Sequence, residues 1–439
     1  MTRKIISFLL FCFVTITHAA PDIQKWETSN GAVALFVAAP ELPMVDIRVV
    51  FDAGSARDGD KWGIAALTNA VVAEGAGGMS AEQISEKFDD VGAILGSGSL
   101  RDMAFVSVRT ITEKKNYDTA LEGLATVITK PDFPQAAFER QKRRTLIGLQ
   151  QKKQSPSAIA EEAFYKALYG DHPYAHPPSG DEESVGQITR EDLVAFYNKW
   201  YTAKNATIAI VGDLTFEQAK QAAEKVIGEL PSGEPAPCLP PVKDLEKEKV
   251  IRIHHPSSQT TVLIGQPGMK RGDPDYFALY VGNHSLGGSG LVSRLSNEVR
   301  EKRGLSYSVY SYFLPMREKG PWMAGMQTRN EKVEEGLKVM RETIRTYIDQ
   351  GQTEEEFAAS VKNITGGFPL RIDNNSKIVE YLSMIGFYGL PLDYLDTFID
   401  KIKALTVDQT REAMKRRLHP DKMVTVVVGG SVEKTLAGQ

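Results

Sequence analysis

Cysteine is nearly missing from this chain: two among 439 residues, Cys12 and Cys238. Cys12 lies in an N-terminal apolar run, and its context, Leu10-Phe11-Cys12, does not match a lipoprotein acylation site. Once that run is removed Cys238 stands alone, so no intrachain disulfide can form even in an oxidising compartment, and C-x-x-C metal and redox sites are excluded as well. Charge of one sign is also lacking. Lys and Arg number 52 against 56 Asp and Glu, a formal charge of −4 with no dense basic stripe, which argues against nucleic acid as a partner. Beyond residues 5–16 there is no apolar run long enough to span a membrane. Histidine is sparse: past the N-terminus it occurs at His172, His176, His254, His255, His284 and His419. Only His172 and His176 are one helical turn apart, and Pro173 and Pro177 make that stretch an irregular loop. His254 and His255, adjacent in a strand, point to opposite faces.

What is present at the N-terminus reads as a leader. Arg3 and Lys4 precede the apolar run 5–16, and Thr17-His18-Ala19 offers small-residue cleavage, so residues 1–19 are expected to be a secretory signal peptide, with Ala20 as the alternative cleavage point. Loss of Arg3 and Lys4 would take the charge to −6. The mature protein is expected to be exported and soluble, in the periplasm of a two-membrane bacterium.

The chain is written twice. TREDLVAFYNKWYTAKNATIAIVGDL, residues 189–214, corresponds to TVDQTREAMKRRLHPDKMVTVVVGGS, which begins at Thr406; Thr189 aligns with Thr406 and Gly212 with Gly429 at one constant offset. Each copy is a helical stretch followed by an apolar run, 206–211 or 423–428, that reads as a buried strand ending in glycine. Thr215 with Gln218 is a capping box opening a helix at Phe216. Weaker matches pair Val49-Val50-Phe51 with Val262-Leu263-Ile264, and Phe138 with Phe357. Between the copies, LPSGEPAPCLPP carries five prolines and cannot continue a helix or a central strand. The expected architecture is α+β: two homologous domains at 21–230 and 243–439, each a mixed sheet with long helices on one face, joined by a linker at 231–242.

The repeat, the linker and several strings together resemble the M16 (pitrilysin and mitochondrial-processing-peptidase-like) family, in its short bacterial subunit form. His172-Pro173-Tyr174, Gly180 and the stretch 188–213 look like its N-terminal domain. Leu286-Gly287-Gly288, Ser293-Arg294-Leu295 and EVREKRGLSY at 298–307 look like its C-terminal domain. Active members hold zinc with an inverted H-x-x-E-H motif on a helix just after a glycine, plus a distant glutamate. The matching segment here is Gly63-Ile64-Ala65-Ala66-Leu67-Thr68-Asn69-Ala70, which puts Ala66 and Ala70 at the ligand positions and Asn69 at that of the general base. A methyl group cannot donate to zinc, and a carboxamide cannot take a proton near neutral pH. The third ligand should fall within 146–149, LIGL, where there is no carboxylate. The resemblance therefore implies a chain that holds no metal of its own and is not catalytic alone.

Arg300 and Tyr307 keep the spacing of the family's arginine–tyrosine pair. A helix at 292–302, Arg303 in its last turn, Gly304 as a left-handed stop and a strand at 305–313 would set the two side chains on either side of a tight turn. In that strand Leu305, Tyr307, Val309 and Phe313 are expected to share one face. By resemblance, Tyr307 donates a hydrogen bond to the scissile carbonyl and Arg300 holds substrate carbonyls, serving a homologous partner subunit that carries H-x-x-E-H and the zinc. The substrate would be a peptide or unfolded polypeptide. Gly287-Gly288-Ser289-Gly290 lacks the Lys-Ser/Thr ending of a phosphate loop and reads either as the family's chamber-facing loop or as a plain connector. The alternative of another kind is a non-proteolytic M16-fold scaffold or peptide-binding protein.

Overall fold

The structure, a computed structural model, describes residues 22–430; the expected leader at 1–19 and Cys12 lie outside the described residues. Two sheets share one plan. In the first, strand Ala206–Gly212 runs parallel to Val33–Ala38 and antiparallel to Met44–Phe51. Ala104–Ile111 and then Ile94–Ser99 follow outward, and Gln24–Glu27 closes the opposite edge. In the second, Val424–Gly429 runs parallel to Lys249–His254 and antiparallel to Gln259–Pro267, followed outward by Pro321–Arg329 and Ser306–Phe313. Each strand of the second sheet has a counterpart in the first, so the sequence repeat is a repeat of sheet topology.

Local chemistry explains the matching segments. Thr189 and Thr406 cap the helices Arg190–Trp200 and Val407–Arg417, closing reciprocal boxes with Asp192 and Gln409; Thr215 does the same with Gln218 for Phe216–Ile227. Strands Ala206–Gly212 and Val424–Gly429 are buried along their whole length, as near-continuous apolar runs require when both faces of a sheet are covered. One weaker match needs correction. Ile47 pairs with Ile210, and Val262 with Val427. With Gly212 and Gly429 equivalent, Ile47 rather than Val49 is the counterpart of Val262. A slip of two residues preserves the face each side chain takes, which is why the apolar pattern alone did not expose it.

Each sheet carries helices from its own half on one face. The first core joins Phe36, Ile47 and Ile210 to helices such as Lys114–Thr129 and Phe216–Ile227; the second joins Val262, Ile264 and Val427 to Val333–Gln350 and Val407–Arg417. The opposite faces are covered by exchange. Helix Asn375–Tyr388, from the second half, lays Ile378, Leu382 and Ile385 on Leu35, Val37 and Ala209 of the first sheet. Helix Pro156–Tyr169, from the first half, lays Phe164, Tyr165 and Leu168 on Leu263, Val426 and Val428 of the second. Neither half completes its own core alone.

A buried polar knot joins the halves. Asp102 accepts from the Tyr174 hydroxyl, from the Tyr388 hydroxyl at 2.8 Å and from the Arg317 N–H at 2.7 Å. The proline-rich segment 231–242 contains neither helix nor strand. It is pinned to the first half through Pro237 O, which accepts from Arg57 at 2.8 Å, and Pro240 O, 2.8 Å from His172 Nε2. Among the described residues no helix is long and apolar enough to cross a membrane.

Candidate functional site

Gly63, in left-handed backbone, precedes helix Ile64–Val71, as the motif comparison expects. The buried Asp58 carboxyl group anchors that helix by accepting from Gly63 N–H at 2.7 Å and Ala65 N–H at 3.0 Å. Burial pushes the Asp58 carboxyl up to about 8, with the two N–H bonds pulling the other way. Ala66 is half-buried and Ala70 exposed, and neither offers a donor atom. Asn69 is 3% exposed; its amide nitrogen donates to Phe105 O at 3.1 Å and lies 3.4 Å from the Tyr201 hydroxyl. The position that would hold a general base is thus occupied by a side chain tying the helix to strand Ala104–Ile111. Helix Gln135–Lys152 brings Leu146 and Leu149 into the same apolar core. A zinc ion implied by the resemblance does not fit these residues: two methyl groups, a committed carboxamide and leucines provide neither ligand nor base.

The histidines have other partners. His172 Nδ1 accepts from Tyr174 N–H at 3.1 Å while Nε2 faces Pro240 O. His176 stacks on Trp62, its ring centroid 5.3 Å away, and burial lowers its pKa. His284 lies between Ser360 Oγ at 2.9 Å and Asn363 Oδ1 at 3.1 Å. Among the described residues no three His, Cys, Asp or Glu side chains gather as a metal site.

Arg300 and Tyr307 do come together, by a route that differs from the sequence expectation. The helix does not start at residue 292. Leu291 and Val292 belong to a short exposed turn, Ser293 is extended, and its hydroxyl accepts from Ser296 N–H at 3.3 Å to start the helix. From Ser296–Glu301 the winding is π-type, with Lys302 N–H reaching back five residues to Asn297 O at 3.0 Å. Wide turns of this kind are rare and concentrate at functional sites. Gly304, at φ +59°, ends the helix as expected, its N–H on Arg300 O at 2.8 Å.

The strand Ser306–Phe313 carries a bulge between Ser306 and Ser308. The expected shared face of Leu305, Tyr307, Val309 and Phe313 is therefore wrong. Leu305 and Val309 are buried, whereas Tyr307 is turned outward and is 84% exposed. An inserted residue breaks the two-residue period and re-aims one side chain. Ser306 Oγ, 2.7 Å from Ser308 O and 2.6 Å from Gln327 O, holds the bulge. Nothing in the alternation of the sequence marked it. The result places the Arg300 guanidinium carbon 4.7 Å from the Tyr307 ring centroid, a cation–π contact, on the unpaired edge strand of the second sheet.

Two supports of this turn escaped the sequence reading. Arg294 meets Glu356 through two bonds of 2.6 Å, fastening the π-wound segment to helix Glu354–Gly367. Gly287 is a contact position, since a Cβ there would sit 2.4 Å from Ser311 Oγ and 2.6 Å from Ser311 N. Gly287 and Gly288 form part of a second π-wound turn, His284–Gly288, so this half of the glycine-rich stretch is packed structure.

Comparison with known proteins follows the same lines. Residues 33–182 match the family described as insulinase (peptidase family M16), and residues 187–364 match peptidase M16 inactive domain. A Bacillus subtilis protein named uncharacterized zinc protease YmxG is 25% identical, over 92% of this chain and 98% of its own length. A Helicobacter pylori protein named non-peptidase homolog YmxG is 24% identical, over 98% of both. A Pseudomonas fluorescens crystal structure, described as peptidase M16 inactive domain, is 41% identical, covers 94% of this chain and 99% of its own, and superposes with a TM-score of 0.91. With both halves matched and these metal positions lost, the chain is a member of the M16 peptidase family that lacks the side chains for the family's metal chemistry.

Proposed function

We propose that this chain is the zinc-free subunit of a heterodimeric M16 metalloendopeptidase, and that it lends Arg300 and Tyr307 to the active site of a homologous partner carrying H-x-x-E-H. The observation that carries this reading is the exposed Tyr307 phenol held against Arg300 on an edge strand, in a chain whose own motif positions are Ala66, Asn69 and Ala70. A structural tyrosine has no need of a bulge that turns it into solvent. The partner's metal supplies the Lewis acid. Tyr307 O–H donates to the oxygen that gains charge as the scissile carbonyl becomes tetrahedral, and the planar Arg300 guanidinium donates to substrate backbone carbonyls. The substrate is a short or unfolded peptide, laid as an added strand along the partner's sheet edge. The compartment is the periplasm, a reading that rests on the leader at 1–19.

The test is reconstitution. This chain is co-expressed with an M16 homologue from the same genome that retains H-x-x-E-H, and the pair is assayed on peptides with each chain omitted in turn. Cleavage is expected only with both. Full activity from the homologue alone removes the role assigned here, as does chelator-sensitive cleavage by this chain alone.

A second reading, an M16-fold scaffold or peptide carrier without proteolysis, draws on the name non-peptidase homolog borne by the Helicobacter pylori relative. Co-purification with a motif-bearing homologue separates the two readings: the scaffold has no need of such a partner.

A further inference from the structure

An open cavity of about 470 Å³ lies between helix Tyr276–Asn283, helix Tyr394–Lys403 and the loop at 390–391, lined by neither Arg300 nor Tyr307. Its walls are apolar and aromatic, with Tyr276, Phe277, Tyr394, Leu390 and Leu405 prominent. Its charge is unbalanced. Arg271 and Lys401 line it, and among the described residues the only lining carboxylate, Asp273, is already engaged: its Oδ1 accepts from Arg417 at 2.6 Å and from Asp275 N–H at 2.9 Å.

Arg271 is the unusual element. Its Nε is buried without a hydrogen-bond partner, and its guanidinium carbon lies 5.7 Å from the Tyr388 ring centroid. Lys401 Nζ lies 5.6 Å from the ring centroid of Phe277. Among the described residues neither cation has a carboxylate partner within ion-pair distance. A desolvated guanidinium N–H left unbonded is unfavourable, and the group that best satisfies it is a carboxylate, which can take two parallel N–H bonds. The cavity volume falls in the range that houses a small ligand, and its aromatic walls fit one apolar group.

We propose that this cavity binds a carboxylate attached to an aromatic or branched aliphatic group, with Arg271 as the anion anchor and Lys401 as the second cation at its mouth. The C-terminal residue of a peptide and a free apolar carboxylic acid share that chemistry. The site does not depend on the role given to Arg300 and Tyr307, and its test needs no peptidase activity.

Isothermal titration of the full chain with N-acetylphenylalanine, N-acetylphenylalanine amide and the tripeptide Gly-Gly-Phe decides the matter. The two acids are expected to bind saturably, and the amide roughly 10-fold or more weaker, the scale of one charge-assisted hydrogen bond. Tighter binding of the tripeptide assigns the site to peptide ends, and equal or weaker binding assigns it to free acids; either supports a carboxylate site. Arg271→Gln is expected to lose affinity for the acid by a similar factor, with Arg271→Lys intermediate. Should Arg271→Gln fail to fold, Lys401→Gln, at a half-buried position, gives the same readout with a smaller loss. No saturable binding of either acid, equal affinity for acid and amide, or unchanged affinity in the folded variants overturns the proposal.

Discussion

Arg294 and Glu356 are joined by two 2.6 Å bonds, and through them the π-wound segment that carries Arg300 is fixed to a helix more than fifty residues later. The pair is largely withdrawn from solvent, with side chains 20% and 29% exposed. Its loss should be felt both in stability and in the geometry of the turn. Glu356→Gln is expected to destabilise the protein by about 1.5–3 kcal/mol, the range for hydrogen bonds to charged groups, measured by urea unfolding.

The same pair predicts a pH dependence. Burial pushes the Glu356 carboxyl up, but the Arg294 bonds and the Thr353 N–H outweigh it and hold the pKa below the ordinary 4.5. The folded protein therefore binds this proton less readily than the unfolded chain does. The stabilisation is present in full above the unfolded glutamate value and is lost as pH falls through the lower, folded one. Thermal melts of wild type and Glu356→Gln should differ most at neutral pH and converge in acid. A constant difference down to low pH would contradict the assignment.

Tyr307→Phe separates chemistry from folding. Because the phenol projects into solvent, the variant should melt like wild type and assemble normally. In the reconstituted complex its turnover should fall by ~10²–10³, the scale of one lost oxyanion donor, with KM changed less than kcat. An unchanged kcat would show that the hydroxyl has no part in the reaction.

Asn69 has become a structural residue, so its removal should be costly in a way a vacant motif position would not be. Asn69→Ala leaves the half-buried Phe105 carbonyl without its side-chain donor and is expected to destabilise by about 1–3 kcal/mol, read as a lower urea midpoint at unchanged m-value. Zinc titration of the wild-type protein should give no stoichiometric binding; one tightly held zinc per chain would refute the reading of Ala66 and Ala70.

Asp102 offers a test of how the halves cooperate. Asp102→Ala strips the partner from two tyrosine hydroxyls and the Arg317 N–H at the junction, the Tyr174 bond fully buried and the other two half-buried. A loss of about 1–3 kcal/mol is expected for each of these donors that is left without an acceptor. Because each sheet is covered by a helix of the other half, unfolding should remain a single transition followed by calorimetry. Two resolved transitions would mean that the exchanged helices do not couple the halves.

Much of this protein was legible in its residues. The repeated capping threonines and glycine-ended strands are local signals, decided by hydrogen bonds within three or four residues and by apolar runs of fixed length. Once the M16 resemblance had placed the motif at 63–70, the lost metal chemistry needed only the identities of Ala66, Asn69 and Ala70, because no fold can give a methyl group a lone pair. Three features were settled only by the tertiary structure. The bulge that turns Tyr307 outward depends on the register between Ser306–Phe313 and Pro321–Arg329, and register is a property of two strands, which the alternation of one does not record. The π-wound approach to Arg300 is held by Glu356, distant in sequence and invisible to any local period. The exchange of helices across the two sheets follows from which apolar faces remain uncovered after each half has folded, and that is known only when both are in place.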